Sequence, residues 1–222
     1  MSHLYHRQLG IIPPDRITDG VSIVGVGSIG SFAALSLAKM GVKRFQLFDD
    51  DKIELHNVAN QYYRLSDIGK LKIEACKELL EEQSPEPSEL HFHLEPEKFT
   101  EDSETLYPIL IVCTDNIESR RVAYQHFKDD WNILLYIDSR MARELLHIFC
   151  ITKDKPDRMK AYEEVYLSHG NVEVPCTERT VVYNVLMVAS LIANLVKKYY
   201  MQEDLPFHIV YSFKDMYYSV EK

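Results

Sequence analysis

Gly25, Gly27 and Gly30 make a G-x-G-x-x-G spacing, and Asp49 follows nineteen residues after the last glycine. That combination suits phosphate chemistry. Backbone without Cβ atoms lets a phosphate approach closely, the helix behind it turns unpaired N–H groups and a positive dipole end toward the anion, and a carboxylate about 20 residues on suits a ribose. An NAD-binding dehydrogenase and an ATP-binding enzyme would both carry these residues, so on this stretch alone both readings stay open. Further polar residues gather downstream. Asn57, Asn60, Gln61 and Arg64 lie in the segment Lys52 to Asp67, which has no sustained helical or strand period and reads as a loop over a site. Cys113-Thr114-Asp115-Asn116 follows a short apolar run, and Cys176 stands just before Arg179 and a long apolar stretch.

The elements that must hold these residues are legible. The apolar run from Val21 to Val24 predicts a strand feeding the glycine turn, a helix opening at Ser28 and closing at Gly41, and a second strand from Arg44 to Phe48 that ends at Asp49. A helix is expected from Ser66 or Asp67 to about Gln83, with Ile73, Cys76, Leu79 and Leu80 on one face. Cys76 on that face reads as core. Leu90, Phe92 and Leu94 alternate as a strand with His91 and His93 opposite, a pair without a third ligand nearby. Ile109 to Val112 predicts a strand, then a helix from Glu118; residues 132–138 and 144–151 predict two more strands joined by 139–143. A polar connector from Thr152 to Gly170 is expected to hold a short helix around Met159 to Ser168. The apolar helix from Val181 to Val196 and a strand pair formed by 207–213 and 216–220 complete the chain. The expected fold is therefore α/β and Rossmann-like: a mostly parallel sheet, helices on both faces, antiparallel strands toward the C-terminus.

Composition narrows the function. With 222 residues and 46% apolar side chains the chain has enough for a substantial core, expected as a single domain over 1–222 with an N-terminal segment at 1–20 and a crossover region at 152–180 carrying Cys176. A formal charge of −9 argues against a nucleic-acid partner. Residues 181–196 are too short and too interrupted by Asn184, Ser190 and Asn194 to span a bilayer, and no apolar signal run precedes Val21, so no membrane association and a cytoplasmic location are expected. The four cysteines form no C-x-x-C pair.

Taken together, the motifs resemble the ThiF/MoeB family, the adenylating domain shared with ubiquitin-activating enzymes, nearly end to end. Tyr5-His6-Arg7-Gln8 looks like the family's Y-x-R-Q. Gly25, Gly27 and Gly30 look like its nucleotide loop, Asp49 like its ribose aspartate and Asn57 like its loop asparagine. Asp67-Ile68-Gly69-Lys70-Leu71-Lys72 is similar to its D-x-G-x-x-K, and Cys113-Thr114-Asp115-Asn116 to its C-T-D-N. The resemblance implies an enzyme that uses ATP and Mg²⁺ to adenylate the C-terminal carboxylate of a small ubiquitin-like or sulfur-carrier protein. It implies Lys72 on the phosphates, Asp115 on Mg²⁺, and Arg7 reaching a phosphate from the partner subunit of a homodimer. Cations are what such chemistry needs, because a carboxylate attacks a phosphate that already carries negative charge.

Two departures stand out. Asn60 occupies the place of an arginine in the family, for which Arg64 is a substitute, and the zinc-binding cysteine pairs of many relatives are absent, so no zinc is expected. Pro175-Cys176-Thr177 looks like the surroundings of the thioester-forming cysteine of ubiquitin-type activating enzymes. A thiolate at a helix start beside Arg179 has a lowered pKa, whereas a packed cysteine at a loop-to-helix junction is the structural alternative. Rival readings are a pseudo-enzyme subunit that supports a catalytic partner, an NAD(P)-dependent oxidoreductase, and an adenylating enzyme for a peptide or a tRNA base.

Overall fold

The computed structural model describes residues 3–167 and 181–222. Eight strands form one sheet: β1 (Val21–Val24), β2 (Arg44–Phe48), β3 (His91–Glu95), β4 (Ile109–Val112), β5 (Leu135–Ala142), β6 (Leu145–Thr152), β7 (His208–Ser212) and β8 (Tyr217–Glu221). Their order is β3-β2-β1-β4-β5-β6-β7-β8. The first five pair in parallel and β6, β7 and β8 add antiparallel. The chain leaves β1 toward one edge and returns to β4 on its other side, which makes the carboxyl ends of those two strands the topological switch point, the place where open α/β sheets bind ligands.

Strand alternation divides the core. Val21, Ile23, Ile109, Ile111, Leu135 and Ile137 pack on one face, against α1 (Ser28–Met40), α2 (Lys72–Gln83) and α5 (Val182–Tyr200). Val24, Leu110, Val112 and Tyr136 face the other way, onto α3 (Ile117–Asp129) and Tyr162. The expected α/β sheet covered on both faces, with its antiparallel C-terminal strands, is thus observed.

Local differences have local causes. The helix expected from Ser66 or Asp67 begins only at Lys72. Gly69 adopts a positive φ of 91° and donates its N–H to Ile53 O, while the Ile53 N–H donates to Lys70 O, so 65–67 forms a separate 3₁₀ turn. The connector expected at 139–143 is mostly strand: β5 runs to Ala142, and Arg143 takes a φ of 55° to make a tight hairpin into β6. The short helix expected near Met159 is α4 (Pro156–Ala161), followed by a π-helix over Tyr162–Leu167. Among the described residues no helix is long and apolar enough to cross a membrane.

Candidate active site

The glycine turn is fixed by its own geometry. Gly25 has φ 86° and donates its N–H to Phe48 O at 2.8 Å, while a Cβ on Gly30 would collide with the Gly25 carbonyl oxygen. The helix start and the turn before it are therefore in backbone contact. A Cβ on Gly25 would lie 3.2 Å from Cys113 O, so the end of β4 forms the next wall.

Asp49, at the carboxyl end of β2, caps this turn. Its Oδ2 accepts the Val26 N–H at 2.8 Å and its Oδ1 the Asp51 N–H at 3.0 Å. Burial pushes the Asp49 carboxyl up, and the neighbouring Lys72 pulls against that rise. Lys72 is the first residue of α2 and only 7% exposed. Its Nζ stands 2.6 Å from Asp51 Oδ2 and 3.8 Å from Asp49 Oδ1. The backbone brings it there: Lys72 N–H donates to Asp51 O at 3.0 Å, and Lys52 pairs with Leu71 as an isolated bridge. Asp49, Asp50 and Asp51 offer carboxylate oxygens within 4.8 Å of one another, an oxygen donor set of the kind Mg²⁺ prefers.

The loop after Asp51 folds back over the start of α1. Asn57 is buried and its Oδ1 accepts the Glu54 N–H at 2.8 Å, while its carbonyl takes the N–H groups of Asn60 and Gln61. Gln61 places its side chain over Gly27, where a Cβ would be 3.9 Å from Gln61 Nε2. Tyr62 N–H donates to Ser31 Oγ at 3.0 Å. Tyr63, which its sequence context did not single out, donates its hydroxyl to Val26 O at 2.5 Å and lies 3.3 Å from Lys72 O, tying the glycine turn to the start of α2. Arg64 goes elsewhere. Its guanidinium is held by Asp67 at 2.9 Å, Glu82 at 2.7 Å and Glu78 at 3.4 Å, so carboxylates already neutralise the charge expected to replace an arginine at position 60.

At the end of β4, Asp115 is exposed and Asn116 caps α3 by accepting the Ser119 N–H at 2.8 Å. Arg120, one turn into α3, is buried and donates to Asp138 Oδ1, to Ser139 O and to Thr114 O. Neither Arg120 nor Asp138 was marked by the motif spacing. The signal was a charge beside apolar residues: Arg120 shares its helical stripe with Ala123, Tyr124 and Phe127, and Asp138 directly follows the apolar run Leu135–Ile137.

Arg7 is far from its own glycine turn. Gln8 donates to Met40 O at 2.7 Å, and Tyr5 packs by Gly41, so this segment is clipped to the C-terminal end of α1 while Arg7 between them is exposed. With 13 residues in α1, the two ends lie about 20 Å apart. Cys176 and Arg179 lie outside the described residues. Desolvation pushes the thiols of buried Cys76 and Cys150 and of half-buried Cys113 each up to about 12.

The ThiF family pattern matches residues 17–204. The chain belongs to the ThiF family. Among curated proteins it is similar to adenylyltransferase and sulfurtransferase uba4 of Aspergillus terreus, 37% identical over 103 residues, covering 45% of this chain and 21% of the relative. It is also similar to ubiquitin-like modifier-activating enzyme 5 of Oryza sativa subsp. japonica, 27% identical over 135 residues, covering 54% of this chain and 32% of that protein. The chain thus spans about a fifth to a third of the length of these curated relatives. The fold of this ThiF-family chain is shared with Escherichia coli MccB solved with AMPCPP and MccA, at a TM-score of 0.75 and 19% identity over 100% of this chain and 71% of MccB. It is shared likewise with PaaA, at a TM-score of 0.73 and 20% identity, over 94% of this chain and 65% of PaaA.

Proposed function

We propose that this chain is an adenylation domain over residues 1–222, acting in the cytoplasm on the C-terminal carboxylate of a small ubiquitin-like or sulfur-carrier protein. The observation that carries the reading is Lys72: a nearly buried ammonium, held 2.6 Å from Asp51 at the mouth of a glycine turn that Asp49 caps. A triphosphate needs such a cation, and a dinucleotide dehydrogenase has no use for one there. The pocket fits a nucleotide on a second ground. Among the described residues, three buried side-chain atoms have no hydrogen-bond partner, and two of them, Gln61 Oε1 and Thr114 Oγ1, belong to the residues flanking the glycine turn.

When bound, Mg-ATP supplies the adenylyl group. The residues of this chain receive and orient it: the amides of Gly27 and the start of α1 face phosphate, Asp49 the ribose, Gln61 and Thr114 the remaining polar edges, Lys72 the phosphate charge and Asp115 the metal. Asn57 acts by shaping the loop that presents Asn60 and Gln61. Arg7 serves the neighbouring subunit, since about 20 Å of helix separates it from its own site. Mixing Arg7→Ala subunits with Lys72→Ala subunits is therefore expected to restore exchange activity, because one site of each mixed dimer receives both intact residues. Mixtures no more active than their inactive parents would remove the shared-site arrangement.

Intact-mass measurement after incubation with Mg-ATP and candidate carrier proteins tests the function directly. The expected product is an adenylated carrier with release of pyrophosphate; tighter binding of NAD than of ATP, with no carrier adenylate, would overturn the reading. The same measurement addresses Cys176. A thiol-sensitive adduct that Cys176→Ala abolishes while pyrophosphate exchange persists identifies it as the nucleophile that receives the carrier. Alkylation is expected to be faster there than at Cys76, Cys113 or Cys150, because only a thiolate reacts and those three are held protonated.

A further inference from the structure

Asp138 is fully buried in β5, opposite Val112 at the end of β4. Its Oδ1 accepts from Arg120 Nη1, and its Oδ2 accepts from Arg140 Nε at 2.7 Å and from the Tyr162 hydroxyl at 2.6 Å. Arg120 spreads its guanidinium further, to Ser139 O at 3.0 Å and to Thr114 O. The last bond matters most. The Thr114 carbonyl and the Asp115 N–H belong to one planar peptide, so pinning that oxygen fixes the plane from which Asp115 departs. Ser139 adds a second tie, donating its hydroxyl to Val112 O at 3.1 Å. On the far side, Arg140 donates to the Tyr162 hydroxyl at 3.1 Å and to Tyr166 O at 3.0 Å, both in the π-helix Tyr162–Leu167.

Stability alone is a poor account of this cluster, because buried ion pairs contribute little compared with apolar side chains of the same volume, whereas they impose direction. Burial would raise the Asp138 carboxyl, but the two guanidiniums and the Tyr162 hydroxyl outweigh it and hold the group below the ordinary carboxylate value, so it stays charged and keeps its three donors oriented.

We infer that Asp138 is a positioning residue of the nucleotide site: through Arg120 it fixes the Thr114–Asp115 peptide, and through Tyr162 and Arg140 it links that peptide to the π-helix. This rests on the adenylation reading, in which Asp115 faces the metal of Mg-ATP.

Asp138→Asn keeps the volume and removes the charge. Its expected effect is a rise of about tenfold in the Mg²⁺ concentration that half-saturates binding of a non-hydrolysable ATP analogue, the scale typical of losing a residue that orients a metal ligand. Binding of the analogue without Mg²⁺ changes by a smaller factor, since the pinned peptide also carries Thr114. In the nucleotide-free protein, amide exchange of residues 115–119 speeds up. In an Asp115→Ala background, Asp138→Asn gives no further shift in Mg²⁺ dependence. Should Asp138→Asn fail to fold, Tyr162→Phe keeps the ring packed, removes one donor, and is expected to shift the Mg²⁺ midpoint in the same direction by a smaller factor. An unchanged midpoint together with unchanged amide exchange overturns the positioning role. So does a full shift that persists in the Asp115→Ala background, since that is general loosening. If the wild type itself binds no Mg-ATP analogue, the adenylation reading fails and takes this role with it; if the wild type binds and the variants match it, the positioning role alone fails.

Discussion

Lys72→Ala is expected to lower carrier-dependent ATP–pyrophosphate exchange by about 10²-fold or more, the scale of one preorganised electrostatic contact, and Asp115→Ala to do the same. The reason is geometric. Lys72 is held nearly buried at the start of α2 by a backbone bond to Asp51, and its ammonium, 2.6 Å from Asp51 Oδ2, stands at the mouth of the glycine turn before nucleotide arrives. Asp115 follows the end of β4, on a peptide whose Thr114 carbonyl accepts from Arg120. Exchange at wild-type rates in both variants would sink the adenylation assignment. Lys72→Ala carries a second signature in its stability. Burial sets the folded pKa of Asp49 above its unfolded value, and Lys72 opposes that shift. A carboxyl with a raised folded pKa gives stability below the unfolded value that is lost as pH rises through the folded one. Removing Lys72 widens this gap, so the variant loses more stability than wild type between acidic and neutral pH in denaturant titrations.

Gly30→Ala is expected to destabilise the protein by about 3 kcal/mol, the upper end of ordinary overpacking, because the added methyl meets the Gly25 carbonyl, and backbone cannot rotate aside as a side chain would. Two other glycines calibrate the cause. At Gly69 a Cβ meets nothing within 4 Å but the φ is 91°, so Gly69→Ala is expected to cost about 1–2 kcal/mol from backbone conformation alone. Gly10 has open space and no positive φ, and Gly10→Ala is expected to stay within about 0.5 kcal/mol of wild type. Urea midpoints of the three variants check the order, and Gly30→Ala is further expected to lose nucleotide binding, since helix and turn can no longer meet. Equal midpoints for Gly30→Ala and Gly10→Ala would show that the turn tolerates a methyl and that the cradle is not closed by this contact.

Local chemistry made much of this protein legible along the chain. The glycine turn, the strand before it and the helix after it follow from residue type and spacing, because a strand-to-helix turn at that length demands glycine wherever backbones touch. Alternation and apolar runs gave the strands, and the antiparallel end of the sheet followed from the absence of crossover helices among 132–151 and 207–220. The family, too, was present in ordered motifs scattered from Arg7 to Asn116, each weak alone.

What the chain order could not give was which charges meet. Arg64 lies in the right loop, yet Asp67, Glu78 and Glu82 claim its guanidinium, a result set by the packing of α2. Arg7 and the glycine turn belong to opposite ends of one helix, so its distance from its own site follows only from where Gln8 and Tyr5 dock. Tyr63, Arg120 and Asp138 carry no motif, because a buried polar group is defined by its partners, and those come from β5, α2, α3 and the π-helix. Sequence thus determined the glycine turn, the helix behind it and the strand ends around it, through short-range rules of backbone and periodicity. Tertiary structure decided which ionic groups meet, Lys72 with Asp51 beside the glycine turn and Arg64 with Asp67, Glu78 and Glu82, since that depends on contacts between residues far apart in the chain.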